Sequence, residues 1–221
     1  MRPVTSLSVR RLSTLVILCA VAGTEAPVSA QLGGRPAAQW IATLDSPERV
    51  ANMKIPDLVA ALKIRTGQTL ADVGSGTGLL SIPLASATGP TGIVYASDID
   101  NDLLAHVTQR AGAAGLGNVK TVRGSFTDPS LPVPVDLALM NDVLHHVSDR
   151  AGYVKTLASQ IVAGGRLAII DYTPDGSPHQ NQPEMIVSEA QADTWLRAAG
   201  FTRAERVTLY PDRYFVIYVK R

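Results

Sequence analysis

From residue 69 onward the chain alternates short apolar runs with polar breaks and stretches of helical spacing. TLADV (69–73), GIVYASD (92–98), NVKTVRG (118–124), VDLALM (135–140) and GRLAIIDY (165–172) are too short for helices. Their apolar content predicts buried strands. Segments 77–87, 101–114 and 150–162 between them predict helices. Asp100 stands where its carboxylate can accept from the free N–H groups of the second helix. Ser188-Glu189-Ala190-Gln191 has the spacing of a capping box and opens a further helix that ends at Gly200. ERVTLY (205–210) and RYFVIYVK (213–220) predict two strands joined by Pro211-Asp212. A connection that short forces them antiparallel. Upstream, Pro47 and Pro56 open two short helices, 47–53 and 56–64.

Apolar strands alternating with helices predict an α/β fold, a seven-stranded, mostly parallel sheet with helices on both faces. The last two strands form an antiparallel hairpin at one edge. Pro83 lies inside the predicted 77–87 helix and is expected to kink it near Leu79.

The first thirty residues read differently. MRPVTSLSVRR is basic, LSTLVILCAVAG is apolar, and Val28 and Ala30 are small residues before Gln31. That layout predicts a secretory signal peptide over 1–30, cleaved near Ala30/Gln31, and an exported, periplasmic protein. The apolar run is shorter than the roughly 20 residues a membrane span needs, so no stable membrane insertion is expected once the leader is gone. An uncleaved anchor is the alternative, and a cytoplasmic location the corresponding one. The leader carries Arg2, Arg10, Arg11 and Glu25 of the chain's 20 basic and 19 acidic residues, so the remainder stays close to neutral. Near-neutrality with no basic stripe argues against nucleic acid as a partner. Cys19 is the single cysteine and lies in the leader, so the mature chain has no thiolate chemistry. Residues 31–66, with Trp40, are expected to form a helical lid, and 67–221 one domain with a full core.

DVGSGTG (72–78) follows the first strand. Three alternating glycines are a poor choice for a core element, which points to a tight turn that a ligand approaches closely. In an open parallel sheet the end of that strand is where ligands bind. A dinucleotide loop would read G-x-G-x-x-G, but Leu79 stands at the third glycine. Asp72, two residues before Gly74, would repel a pyrophosphate and suits a ligand carrying ammonium and sulfonium charge.

These residues resemble the class I S-adenosylmethionine-dependent methyltransferases, a Rossmann-like family whose D/E-x-G-x-G-x-G loop wraps the methionine part of the cofactor. The resemblance covers about residues 50–221. It implies S-adenosylmethionine as cofactor, held by Asp72, Gly74, Ser75, Gly76 and Gly78. Asp98, closing VYASDID with Ile99 beside it, is implied to take the ribose hydroxyls, since one carboxylate can accept two hydrogen bonds. RGSFTDP is similar to the adenine-side loop, with Ser125 where Asp is usual and Phe126 placed to pack on the ring. VDLALMNDVLHHV resembles the fourth-strand motif and puts Asn141 beside the cofactor's amino acid part. LASQIVAGGRLAIIDY is similar to the family's L-x-P-G-G-x-L signature, with Ala163 replacing proline.

Methyl transfer needs a base only when the nucleophile arrives protonated. His145 and His146 follow the fourth strand, and imidazole is suited to that task near neutrality. Adjacent side chains diverge, so at most one is expected to face the substrate. The resemblance favours His145, with His146 structural. No metal site is expected, because neighbouring histidines rarely converge on one ion. The polar loop 173–187 is expected to line the acceptor pocket. The implied activity is methylation of a small-molecule acceptor, as in ubiquinone-biosynthesis methyltransferases. The related arsenite enzymes need cysteines that the mature chain lacks. A non-catalytic S-adenosylmethionine-binding module of the periplasm and a Rossmann-type oxidoreductase are the rival readings.

Overall fold

The computed structural model describes Met1 and residues 35–221. The expected signal peptide, Cys19 and the Ala30/Gln31 cleavage site fall outside the described residues. Seven strands form one sheet: β1 Thr69–Val73, β2 Ile93–Asp98, β3 Val119–Arg123, β4 Val135–Asn141, β5 Ile161–Tyr172, β6 Phe201–Val207 and β7 Arg213–Lys220. Their order is β3-β2-β1-β4-β5-β7-β6. The first five run parallel, and β7 is antiparallel to both β5 and β6. The hairpin therefore enters the sheet by its second strand.

Both faces of the sheet are covered, which is why its strands read as continuous apolar runs rather than alternating ones. Ala138, Met140, Leu167 and Ile169 point to one core. There they meet Val154 and Leu157 of α6 (Arg150–Ser159) and Leu196 of α7 (Glu189–Ala198). Leu137, Leu139, Ala168 and Ile170 point to the other. There they meet Leu58 of α3 (Ile55–Ala61) and Leu84 of α4 (Ser81–Thr88). Helix α5 (Asn101–Ala113) packs along β2 and β3. Asp100 caps it as expected, accepting from the N–H groups of Asp102 and Leu103. Two short helices, α1 (Ala37–Leu44) and α2 (Pro47–Asn52), precede α3.

Several boundaries differ from expectation. Helix α4 begins at Ser81, not 77, because the glycine loop takes up the intervening residues. Pro83 thus falls in the first turn, where its missing N–H leaves no bond unmade, and there is no reason for a kink. Helix α6 stops at Ser159, and β5 starts at Ile161, where Val135 already pairs with it across a register shift. Strand β6 ends at Val207 rather than reaching Tyr210. Tyr210 is claimed by the N-terminal layer, where its buried hydroxyl donates to the Met53 carbonyl at 2.7 Å. Among the described residues no helix is long and apolar enough to cross a membrane.

The capping box of α7 is complete. Ser188 Oγ accepts from Gln191 N–H at 3.3 Å, and Gln191 Oε1 accepts from Ser188 N–H at 2.9 Å. Ser188→Ala should lower stability by about 0.5–2 kcal/mol in chemical denaturation, the usual worth of such a cap.

Candidate functional site

Strand order reverses between β1 and β4, and a cavity of about 440 Å³ opens beyond the carboxyl ends of β1, β2 and β4. This is the position at which parallel sheets bind ligands, and the size suits a small molecule or cofactor. Asp72, Gly74, Ser75, Gly76, Asp98, Ile99, Ser125, Phe126, Asn141, His145 and His146 all line it. Gly78 alone of the expected residues does not. It faces Val107 of α5, with φ +74°, and a Cβ there would sit 3.0 Å from a Val107 methyl.

The loop's glycines answer first to the protein itself. Gly76 has φ +53°, and a Cβ on it would lie 3.0 Å from Leu44 of α1. At Gly74 a Cβ would collide with Val143. Most of the loop's N–H groups are also committed. Gly74 and Ser75 donate to the Ser97 carbonyl at 2.8 and 3.0 Å, Gly76 to Asp98 Oδ2 at 2.8 Å, and Gly78 to the Ser75 carbonyl at 2.9 Å. This loop therefore presents side chains and carboxylates more than free backbone donors.

Asp72 is buried and accepts from the Ser81 hydroxyl at 2.6 Å. Burial raises its pKa from the ordinary 3.8 to about 6. Asp98 is likewise pushed upward, again chiefly by burial. It accepts from the N–H groups of Gly76 and Asp100, which leaves lone pairs on both oxygens for further donors. Ser75 Oγ and Asn141 Oδ1 are buried with no hydrogen-bond partner among the described residues. Buried polar atoms are rarely left so, and two in one cavity mark a place for a polar ligand. Ser125 is spent locally, accepting from Asp128 N–H at 3.0 Å, while Phe126 stands 40% exposed at the rim.

His145 and His146 sit on a 3₁₀ turn, Leu144–His146, directly after β4. His145 Nδ1 lies 2.6 Å from Asp171 Oδ1, and its backbone N–H donates to Asp171 Oδ2 at 3.1 Å. Arg150 holds the same turn from the other side, donating to the carbonyls of Leu144 and His145. His146 also faces the cavity, so the expectation that only one histidine would do so is corrected. A tight turn brings the two ring centroids within 4.1 Å, tilted by 45°, instead of letting the side chains diverge. Burial first, and then the neighbouring His145, His179 and Arg150, lower the His146 pKa to about 3 and keep that ring neutral.

Sequence reasoning missed several groups here. His179, on the loop 173–187, brings its ring to 5.2 Å from that of His145. Tyr172 lines the same end, and its hydroxyl accepts from Arg213 at 2.6 Å. Asp171 had a readable signal, an acid within the last two residues of an apolar strand, as Asp72 and Asp98 are of theirs. Trp40, Thr43 and Leu44 of α1 line the near wall. Two ionic contacts flank them. Asp45 accepts from Thr77 Oγ1 at 2.7 Å and Arg110 at 3.0 Å, and Asp142 joins Arg49 and Arg213, each at 3.0 Å. Among the described residues no group of three or more His, Cys, Asp or Glu is arranged to hold a metal ion.

Residues 71–167 match a family model described as a methyltransferase domain. The chain is 29% identical over 119 residues to a ubiquinone/menaquinone biosynthesis C-methyltransferase of Ectopseudomonas mendocina, covering 52% of this chain and 46% of that protein. It is 30% identical over 118 residues to the demethylmenaquinone methyltransferase of Geobacillus kaustophilus, covering 52% and 50%. The chain thus spans about half the length of the curated relatives it matches. In fold it is similar to an S-adenosylmethionine-dependent methyltransferase from Aquifex aeolicus, with TM-score 0.75, 24% identity, and 85% and 100% of the two chains covered. It is also similar to a magnesium protoporphyrin IX methyltransferase from Synechocystis, with TM-score 0.65, 20% identity, and 87% and 97% covered.

The raised pKa of Asp72 sets a direction for stability against pH. Below about pH 4 the group is protonated in folded and unfolded chains alike. Between there and its folded pKa of about 6 the folded chain binds more protons, so stability falls as pH rises. Asp72→Asn keeps an oxygen to accept from Ser81 and removes the buried charge. At pH 7.5 the ligand-free variant should be more stable than wild type by on the order of 3 kcal/mol, since the pKa rises by about two units and each is worth about 1.4. Thermal melts at several pH values should show that gain vanish near pH 4.

Proposed function

We propose, from the match of residues 71–167 to a methyltransferase domain, that the protein is a class I S-adenosylmethionine-dependent methyltransferase that transfers a methyl group to a small-molecule acceptor. The observation that carries this reading is the convergence of Asp72, Asp98 and the orphaned oxygens of Ser75 and Asn141 on one cavity. Asp72 and Asn141 suit the ammonium of an amino acid moiety, Asp98 a ribose diol, and Phe126 a planar base. The bound cofactor would supply an electrophilic methyl on a sulfonium. The chain's own task is then to orient the acceptor, exclude water and take a proton where one must leave. His145 is the residue we assign to that proton. A buried carboxylate at the loop also disfavours a pyrophosphate-bearing dinucleotide.

The aromatic and imidazole lining at the far end, with relatives named for ubiquinone and menaquinone methylation, makes hydroxylated rings the first acceptors to assay. Helices α1 and α2 act as a lid, pinned over the glycine loop by Asp45 and Arg49. The leader directs the protein out of the cytoplasm. Protein recovered from its native host should begin near Gln31 by N-terminal mass spectrometry, and a chain starting at Met1 in the cytosol would reject export.

Calorimetry should show S-adenosylmethionine and S-adenosylhomocysteine binding and no binding of NAD. Asp98→Ala should weaken cofactor binding by about 1.5–3 kcal/mol, the range for hydrogen bonds to a charged group. His145→Ala should leave that affinity nearly unchanged while methyl transfer slows by roughly 10²–10⁴. Cofactor binding without transfer to any phenol, amine or thiol in a labelled-methyl assay would favour a binding module instead.

A further inference from the structure

Asp171 is the penultimate residue of β5, outside the cavity's lining, and is buried to 1% exposure. Such a carboxylate needs partners, and its partners here are specific. Its Oδ2 accepts from the His145 backbone N–H at 3.1 Å. Its Oδ1 accepts from the Tyr172 backbone N–H at 2.8 Å and lies 2.6 Å from His145 Nδ1. Two backbone donors already face this group, so it is present as an acceptor, and the hydrogen between the pair belongs to Nδ1. The ring's other nitrogen, Nε2, is then left with its lone pair, on a side chain that lines the cavity.

We propose that Asp171 is a positioning residue that fixes His145 in the tautomer whose Nε2 can accept a proton from the methyl acceptor. The proposal rests on the methyl-transfer reading with His145 as base. In the step, the acceptor's O–H bond breaks and its proton goes to Nε2. The oxygen–carbon bond forms as the carbon–sulfur bond breaks, with that electron pair staying on sulfur. The imidazolium so produced is paired with the Asp171 carboxylate through Nδ1–H, while Arg150 on the neighbouring carbonyls keeps the turn from shifting. Preorganisation of this kind is what a bare histidine on a loop lacks.

The geometry also says what an amide would do. An Asn at 171 has one acceptor and one donor face, whereas three donors converge on the carboxylate. Its oxygen serves one side only. If its NH₂ meets Nδ1, the hydrogen of His145 moves to Nε2 and the base is lost. If its NH₂ meets the His145 backbone N–H, two donors face each other in a buried site.

The test has a readout that needs no acceptor. In ¹⁵N-histidine-labelled, ligand-free wild type, His145 is assigned by the signal missing in His145→Ala. The expected neutral form carries its hydrogen on Nδ1; a neutral form protonated at Nε2 would overturn the proposal, whether or not any Asp171 variant folds. Kinetics then ask whether Asp171 works through His145. With hydroquinone as acceptor, Asp171→Asn should lower kcat by roughly 10²–10⁴ with S-adenosylmethionine affinity within about twofold of wild type. Added to His145→Ala, it should change kcat no further, because residues acting as a unit are not additive. An equal further fall in the double variant would assign Asp171 a purely structural role and overturn the proposal. A His145→Ala variant as fast as wild type would remove the base reading and overturn the proposal with it, a failure that the nitrogen spectrum distinguishes from a wrong tautomer.

Discussion

A carboxylate at the end of a buried strand cannot be left without donors, and that constraint organises the working end of this sheet. Asp72 closes in on β1, Asp98 ends β2, Asp142 follows β4 and Asp171 nears the end of β5. Each draws in a different partner. Asp72 takes the Ser81 hydroxyl, Asp98 two backbone N–H groups, Asp142 a pair of arginines, and Asp171 a histidine. The glycine loop, the N-terminal helices and the histidine turn are held where they are by these demands. Parallel strands bring their ends together on one side, so four acids far apart in sequence share one rim.

The same constraint sets stability against function. A fully satisfied carboxylate would have little left to offer a ligand. Asp98 keeps lone pairs in reserve, and Asp72 has a single hydroxyl to offset its burial, which is why its pKa rises. Ser75 and Asn141 add oxygens with no protein partner. These are unfavourable features for the empty fold, and they become favourable when donors arrive. Such local conflicts are expected at functional sites. The far end of the cavity is built on the opposite plan. There His145 is fully partnered on one edge, and burial keeps His146 uncharged beside it. One end therefore presents carboxylates and the other imidazole and aromatic rings.

The strands, their order of appearance and most helices were legible because they rest on local chemistry. A run such as LADV can be buried on both faces only in a covered sheet, Asp100 and Ser188 cap whatever follows them, and Pro211-Asp212 leaves room for a hairpin alone. Asp72 was legible from the glycine loop it precedes, whereas Asp98 and Asn141 were named only through the family resemblance. What failed were features that depend on a neighbour distant in sequence. The start of α4 moved because the loop had to clear Val143, Leu44 and Val107, and β6 ended early because Tyr210 packs on Met53.

The sequence by itself thus determined a parallel α/β domain with an acid-rimmed, glycine-turned ligand site, since hydrophobic period, capping and turn chemistry act over a few residues. Tertiary structure alone decided which glycine meets the cavity, that both histidines face it, and that Asp171 stands behind His145. Gly78 and Gly76 are alike in sequence and differ only in what packs against them. His145 and Asp171 are 26 residues apart and meet because β4 and β5 pair side by side. No local signal encodes such a meeting: it is fixed by sheet register, which places the two ends within reach of one hydrogen bond.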